Sequence, residues 1–101
     1  MTDRNLDQIK LTNMHYKVLD KLASVQNFRR SAKELNLSIS VISKYIKDLE
    51  AFYQVPLFYR TTRQVTLTDE LKRILPRVRE ILALESEIKN DGSVLLCLNS
   101  V

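Results

Sequence analysis

Residues 27–53 read NFRRSAKELNLSISVISKYIKDLEAFY. Asn27 is a residue type that accepts hydrogen bonds from the free amides of a helix start, and Phe28, Ala32 and Leu35 then repeat at helical steps, so a short helix is expected over Phe28–Leu35. Asn36 stands where a tight helix end needs a left-handed residue, a conformation that asparagine tolerates better than most. Ser38, Ile39 and Ser40 open a second helix. In it Ile42, Ile46, Leu49 and Tyr53 share one face, while Ser40, Ser43, Lys44 and Lys47 lie away from it. The first face is expected to close a core, which leaves the small hydroxyls and lysines free to approach a groove. A short helix, a tight turn and a helix with a small, basic outer face make a helix-turn-helix, whose second helix is the natural reader of the DNA major groove.

Upstream, Leu11, Met14, Val18, Leu19, Leu22 and Val25 mark another amphipathic helix that Thr12 or Asn13 could cap. His15 has no carboxylate or cysteine at ligand spacing, so it reads as a surface or packing residue. Downstream, the β-prone runs Val55–Tyr59 and Val65–Leu67 flank five polar residues and read as a hairpin wing. Arg60 and Arg63 are expected at its tip, in reach of sugar-phosphate or a narrow minor groove. An ordinary exposed loop would account for the same residues.

Thr68, Asp69 and Glu70 signal a helix start, with a capping hydroxyl and acidic groups at the positive end of the dipole. The helix then runs long. Leu71, Ile74, Leu75, Val78, Ile81, Leu82 and Ile88 follow the three-four spacing of a seam, expected to meet a partner helix or, alternatively, the chain's own first helix. Pro76 should kink or loosen it. Beyond Asn90, Asp91 and Gly92, Val94 to Leu98 reads as a strand without a visible partner. The expected organisation is therefore a DNA-binding unit at 1–67, a linker and dimerisation helix at 68–90 and a tail at 91–101.

Composition agrees with a mainly α, single-core domain: of 101 residues 45% are hydrophobic and 28% charged, with one glycine and two prolines to break helices. The net charge of +4 is modest, but it concentrates: residues 28–63 carry seven basic and three acidic side chains. Any phosphate-facing surface is expected there, although a solvated basic face would look the same. Cys97 is the single cysteine and His15 the single histidine, which argues against zinc, other metal or redox roles, and no cofactor is expected. Neither paired carboxylates, a nucleophile beside His15 nor a glycine-rich phosphate loop is present to support an enzyme. No window approaches the roughly 18 apolar residues of a membrane span, so a soluble cytoplasmic protein is expected.

Residues 11–89 resemble the N-terminal DNA-binding region of the LysR-type transcriptional regulators. The resemblance rests on Phe28, Arg30 and Ala32–Leu35; on Ser38, Ser43, Ile46 and Leu49-Glu50; on Leu57-Phe58 and Arg60; and on Leu67-Thr68, Leu75-Pro76 and Ile81-Leu82. It implies a winged helix-turn-helix that binds double-stranded DNA as a homodimer, joined through the long helix. The expected DNA contacts are Arg30, Ser38, Ile39, Ser40, Ser43, Lys44, Lys47, Arg60 and Arg63. Two departures stand out. Where the family has glutamine and proline at the start of the recognition helix, this chain has Ile39 and Ser40, and Ile39 can offer a base edge only apolar contact, for example to a thymine methyl. Where the family has alanine and glycine after Leu-Thr, it has Glu70 and Leu71. The family continues into a ligand-sensing domain with no counterpart in these residues, so no small-molecule effector pocket is expected. That last feature also motivates a different reading, an antagonist or adaptor that heterodimerises with full-length regulators.

Overall fold

The computed structural model describes residues 9–61 and 64–90. Its elements are α1 (Asn13–Val25), α2 (Phe28–Leu35), α3 (Ile39–Tyr53), β1 (Phe58–Arg60), β2 (Val65–Leu67) and α4 (Asp69–Asn90). This is the expected mainly helical winged helix-turn-helix followed by a long helix. Arg63 and the expected strand Val94–Leu98, with Cys97, lie outside the described residues.

Local hydrogen bonds explain where each helix starts. Asn27 Oδ1 accepts from the Arg30 amide at 2.8 Å and Ser38 Oγ from the Val41 amide at 3.1 Å. Thr68 Oγ1 accepts from the Leu71 amide at 3.2 Å while donating to the Pro56 carbonyl at 2.8 Å. That one buried hydroxyl therefore caps α4 and ties it to the segment leading into β1. At α1 the Thr12 amide donates to His15 Nδ1 at 3.0 Å. A backbone amide can only donate, so Nδ1 accepts and the ring proton sits on Nε2, 3.0 Å from Asp48 Oδ2. His15 is buried and edge-on to Tyr45, with ring centroids 4.7 Å apart. It is a structural tie between α1 and α3.

Helix ends close without glycine. Gln26, Asn36 and Gln54 follow the three short helices with φ of 57°, 57° and 59°. Asparagine fits this left-handed turn readily, whereas the two glutamines adopt it against a steric cost.

The core joins Val18, Leu19 and Leu22 of α1, Ala32 of α2, Ile42, Ile46 and Leu49 of α3, Leu57, Phe58 and Val65 around the hairpin, and Leu71, Leu75 and Val78 of α4. One expected core residue lies elsewhere. Tyr53 is 39% exposed at the last position of α3, its hydroxyl 2.7 Å from that of Tyr16. Partial burial, and then the hydrogen bond shared with Tyr16, push the Tyr53 phenol up to about 12.

The seam expected on α4 needs correcting too. Leu71, Leu75 and Val78 are buried in the chain's own core, with Ile74 and Leu82 packed partly against it, whereas Ile81, Leu84 and Ile88 are exposed. A side chain closed inside its own protomer cannot also serve a partner in this conformation. Near the middle of the helix, Arg79 Nε donates to Asp20 Oδ1 at 2.8 Å and its Nη2 to Ser24 Oγ at 3.2 Å, fastening α4 along α1. α4 runs without a break through Pro76. Leu71 fills the core where the family has its glycine.

The antiparallel hairpin pairs Phe58 with Leu67, Tyr59 with Thr66 and Arg60 with Val65. Alternate side chains of a strand share a face, so Arg60 lies on the same side as the buried Phe58. This corrects its expected position: Arg60 is in the strand and faces the body of the domain, rather than standing at the wing's tip. The turn beyond it is closed by the Thr61 amide donating to the Gln64 carbonyl at 2.9 Å.

Candidate nucleic-acid interface

Helix α3 positions most of the expected site. With Ile42, Ile46 and Leu49 fully buried, helical spacing turns Ser40, Lys44 and Lys47 to the opposite side, and all three are exposed. The Lys44 side chain is 77% exposed, with its Nζ 3.7 Å from Asp48 Oδ2. That same oxygen accepts the hydrogen bond from His15 Nε2, so Asp48 is shared between the α1 tie and the lysine. Lys47 has no ion-pair partner among the described residues. Ile39 and half-buried Ser43 stand on one flank of this outer face, and Val41 on the other, where it lines an open groove with Thr12 and Lys44.

Ser38 lies at the helix tip, but its oxygen is engaged as the cap. Arg30 stands apart from the α3 set. Its Nε donates to Glu34 Oε2 at 3.2 Å, and Lys21 reaches the other oxygen of the same carboxylate at 3.2 Å. The hydrogen bond from Lys21 foremost holds the Glu34 carboxyl below its usual range; desolvation opposes it, and the charge of Lys21 and the bond from Arg30 add to the lowering. Arg30 thus belongs to an exposed ion-pair cluster joining α1 and α2.

Arg60 is held from two sides. Its guanidinium lies over the Phe28 ring, 5.0 Å from the centroid, and Nη2 is 4.0 Å from Glu50 Oε1. The other Glu50 oxygen accepts from the Leu57 amide at 2.9 Å. One carboxylate therefore docks the root of the wing on α3 and orients the arginine. Sequence reasoning missed Val41 and Asp48, and named Glu50 only as part of the family pattern, without its role. Asp48 could be seen only as a charge on a basic helix, and Val41 only as one more apolar residue.

Among the described residues no helix is long and apolar enough to cross a membrane, and no three His, Cys, Asp or Glu side chains converge as a metal site.

Over residues 14–70 the chain matches the family described as bacterial regulatory helix-turn-helix protein, lysR family. It is 44% identical over 61 residues to YbhD of Escherichia coli (strain K12), described as an uncharacterized HTH-type transcriptional regulator; the match covers 60% of this chain and 19% of that protein. It is 38% identical over 72 residues to the HTH-type transcriptional regulator CzcR of Bacillus anthracis, covering 71% of this chain and 25% of that one. The chain thus spans about a fifth to a quarter of the length of these relatives. Among solved structures, the CbnR DNA-binding domain in complex with DNA superposes with a TM-score of 0.78 at 26% identity, over 85% of this chain and 99% of that one.

Proposed function

The chain belongs to the lysR family of bacterial regulatory helix-turn-helix proteins, and from that premise we propose that it is a sequence-specific, double-stranded-DNA-binding transcriptional regulator that works in the cytoplasm as a homodimer and performs no chemistry. In this reading α3 enters the major groove. Ser40, Ser43, Lys44 and Lys47 face bases and phosphates, and Arg60 approaches the backbone or minor groove from its seat on Phe28 and Glu50. Phosphate contacts set register and affinity, and the few base contacts set sequence. The observation that carries the reading is the outer face of α3, where exposed lysines stand opposite a helix side that is fully buried. The likeness to the DNA-binding domain of CbnR, solved on DNA, supports it.

Dimerisation falls to Ile74, Ile81, Leu84 and Ile88. Ile74, Ile81 and Ile88 recur every seven residues, the repeat of a two-helix seam, and the last three side chains of the set are exposed.

Titrating a generic duplex in a mobility-shift assay at several salt concentrations tests the DNA-binding part. The variant K44A/K47A should bind more weakly and lose about 0.9 units of log-log salt slope for each phosphate contact removed. Unchanged affinity and slope would refute the placement of α3. Light scattering of I81S/L84S/I88S tests the dimer: the parent should be twice the mass of the variant, and a monomeric parent would refute homodimerisation.

A further inference from the structure

The first turn of α3 is Ile39-Ser40-Val41, set between the Ser38 cap and the buried Ile42. Ile39 is 47% exposed and Val41 37%, while the other aliphatics named on this helix, Ile42, Ile46 and Leu49, are fully buried. Two β-branched side chains thus stand in solvent at the tip of the helix that is otherwise marked for DNA. Their conformations are well set. The Ser38 cap holds the Val41 amide, and branching at Cβ leaves each side chain few rotamers in a helix. Successive helical residues are about 100° apart, so Ile39 and Val41 project to opposite sides of Ser40. Neither can donate or accept a hydrogen bond, which leaves Ser40 as the single hydrogen-bonding side chain of the three.

The N-terminal residues of a groove-entering helix meet base edges. In the major groove, only thymine presents an apolar group, its 5-methyl, whereas guanine, adenine and cytosine present donors and acceptors that an aliphatic would dehydrate without replacing their hydrogen bonds. Exposed Lys44 lies one turn further along and Lys47 beyond it, a charge pattern that suits a polyanion and not an apolar protein surface. We propose that Ile39 and Val41 are specificity-determining residues, each seated on a thymine 5-methyl group, so that each half-site carries thymines on both sides of the base pair facing Ser40. This rests on the DNA-binding reading above.

The test begins with duplexes selected by the full chain from randomised DNA. Each thymine in the recovered site is replaced in turn by deoxyuridine, which pairs identically and lacks only the methyl group. At two positions per half-site, uracil should weaken binding about fourfold, the scale of one buried methyl. Exchanging such a T·A pair for C·G should weaken binding as well, and 5-methylcytosine should recover part of the loss. I39Q should abolish the uracil effect at one position and V41Q at the other, with the salt slope, set by the lysines, unchanged. Both sites are exposed, and equal circular dichroism would verify folding. The uracil substitution on the parent protein stands without either variant. A selected site indifferent to uracil at every thymine overturns this proposal and leaves specific DNA binding intact. Failure to select any sequence, with salt-sensitive binding retained, overturns it together with sequence specificity, and absence of binding overturns the proposed function as a whole.

Discussion

Helix α4 carries two apolar stripes with opposite fates. Leu71, Leu75 and Val78 are 0%, 7% and 4% exposed, whereas Ile81, Leu84 and Ile88 are 43%, 59% and 55% exposed. Residue type does not separate them. At about 100° per residue the second group lies a quarter-turn or more around the helix axis from the first. The inward stripe continues through half-buried Leu82 and then turns polar at Glu85 and Lys89, which line a groove with Lys17, Asp20 and Lys21 of α1. The outward stripe stays apolar to Ile88. Helical periodicity of three and four counts both as one seam, and only the position of α1 divides them.

The division is open to attack at several points. The largest effect is expected from L75A, which removes buried methyl groups and leaves a cavity: urea unfolding should show a loss of about 2–5 kcal/mol. A loss below about 1 kcal/mol would mean that the inward stripe is not core. Next comes Ser31, fully buried on α2 with no hydrogen-bond partner for its hydroxyl among the described residues. If burial decides what belongs inside, S31A should raise stability by about 1 kcal/mol, since it removes a dehydrated polar atom for little lost volume. A destabilised variant would contradict that. L84S, on the outward stripe, should change the stability of the dilute, monomeric chain by no more than about 0.5 kcal/mol, in contrast to L75A. Comparable losses in the two would erase the distinction.

The smallest effect concerns Tyr53, raised to about 12 chiefly by burial. Between the usual tyrosine value near 10 and that value, the folded chain holds a proton that the unfolded chain releases. The contribution to stability is therefore complete below pH of about 10 and is lost as pH rises towards 12. Titrating tyrosinate absorbance should reveal one late phenol, and Y53F should remove it. A parent without a late phenol would contradict the partial burial at the end of α3.

Local chemistry made much of this legible beforehand. Asn27, Ser38 and Thr68 cap the helices that they precede, and Asn36 takes the left-handed turn, because a cap depends on neighbours within a few residues. The outer face of α3 was equally readable, since a buried stripe fixes its opposite. Arg60 was not. Its place depends on where β1 begins, and a three-residue strand leaves little trace in sequence. The roles of Asp48 and Glu50 were hidden for a related reason. Their partners His15 and Leu57 come from outside α3, and Asp48 lies 33 positions from His15.

The sequence by itself determined the order of the elements, their caps, the basic outer face of α3 and the apolar tip at Ile39, because each follows from spacing within one helix or from a side chain beside its own backbone. Only the tertiary structure decided which of two apolar stripes on α4 became core, that Arg60 lies over Phe28 instead of at a wing tip, and that His15 joins α1 to α3. Those outcomes depend on contacts between segments distant in the chain, and periodicity records that a side chain is apolar without recording what it meets.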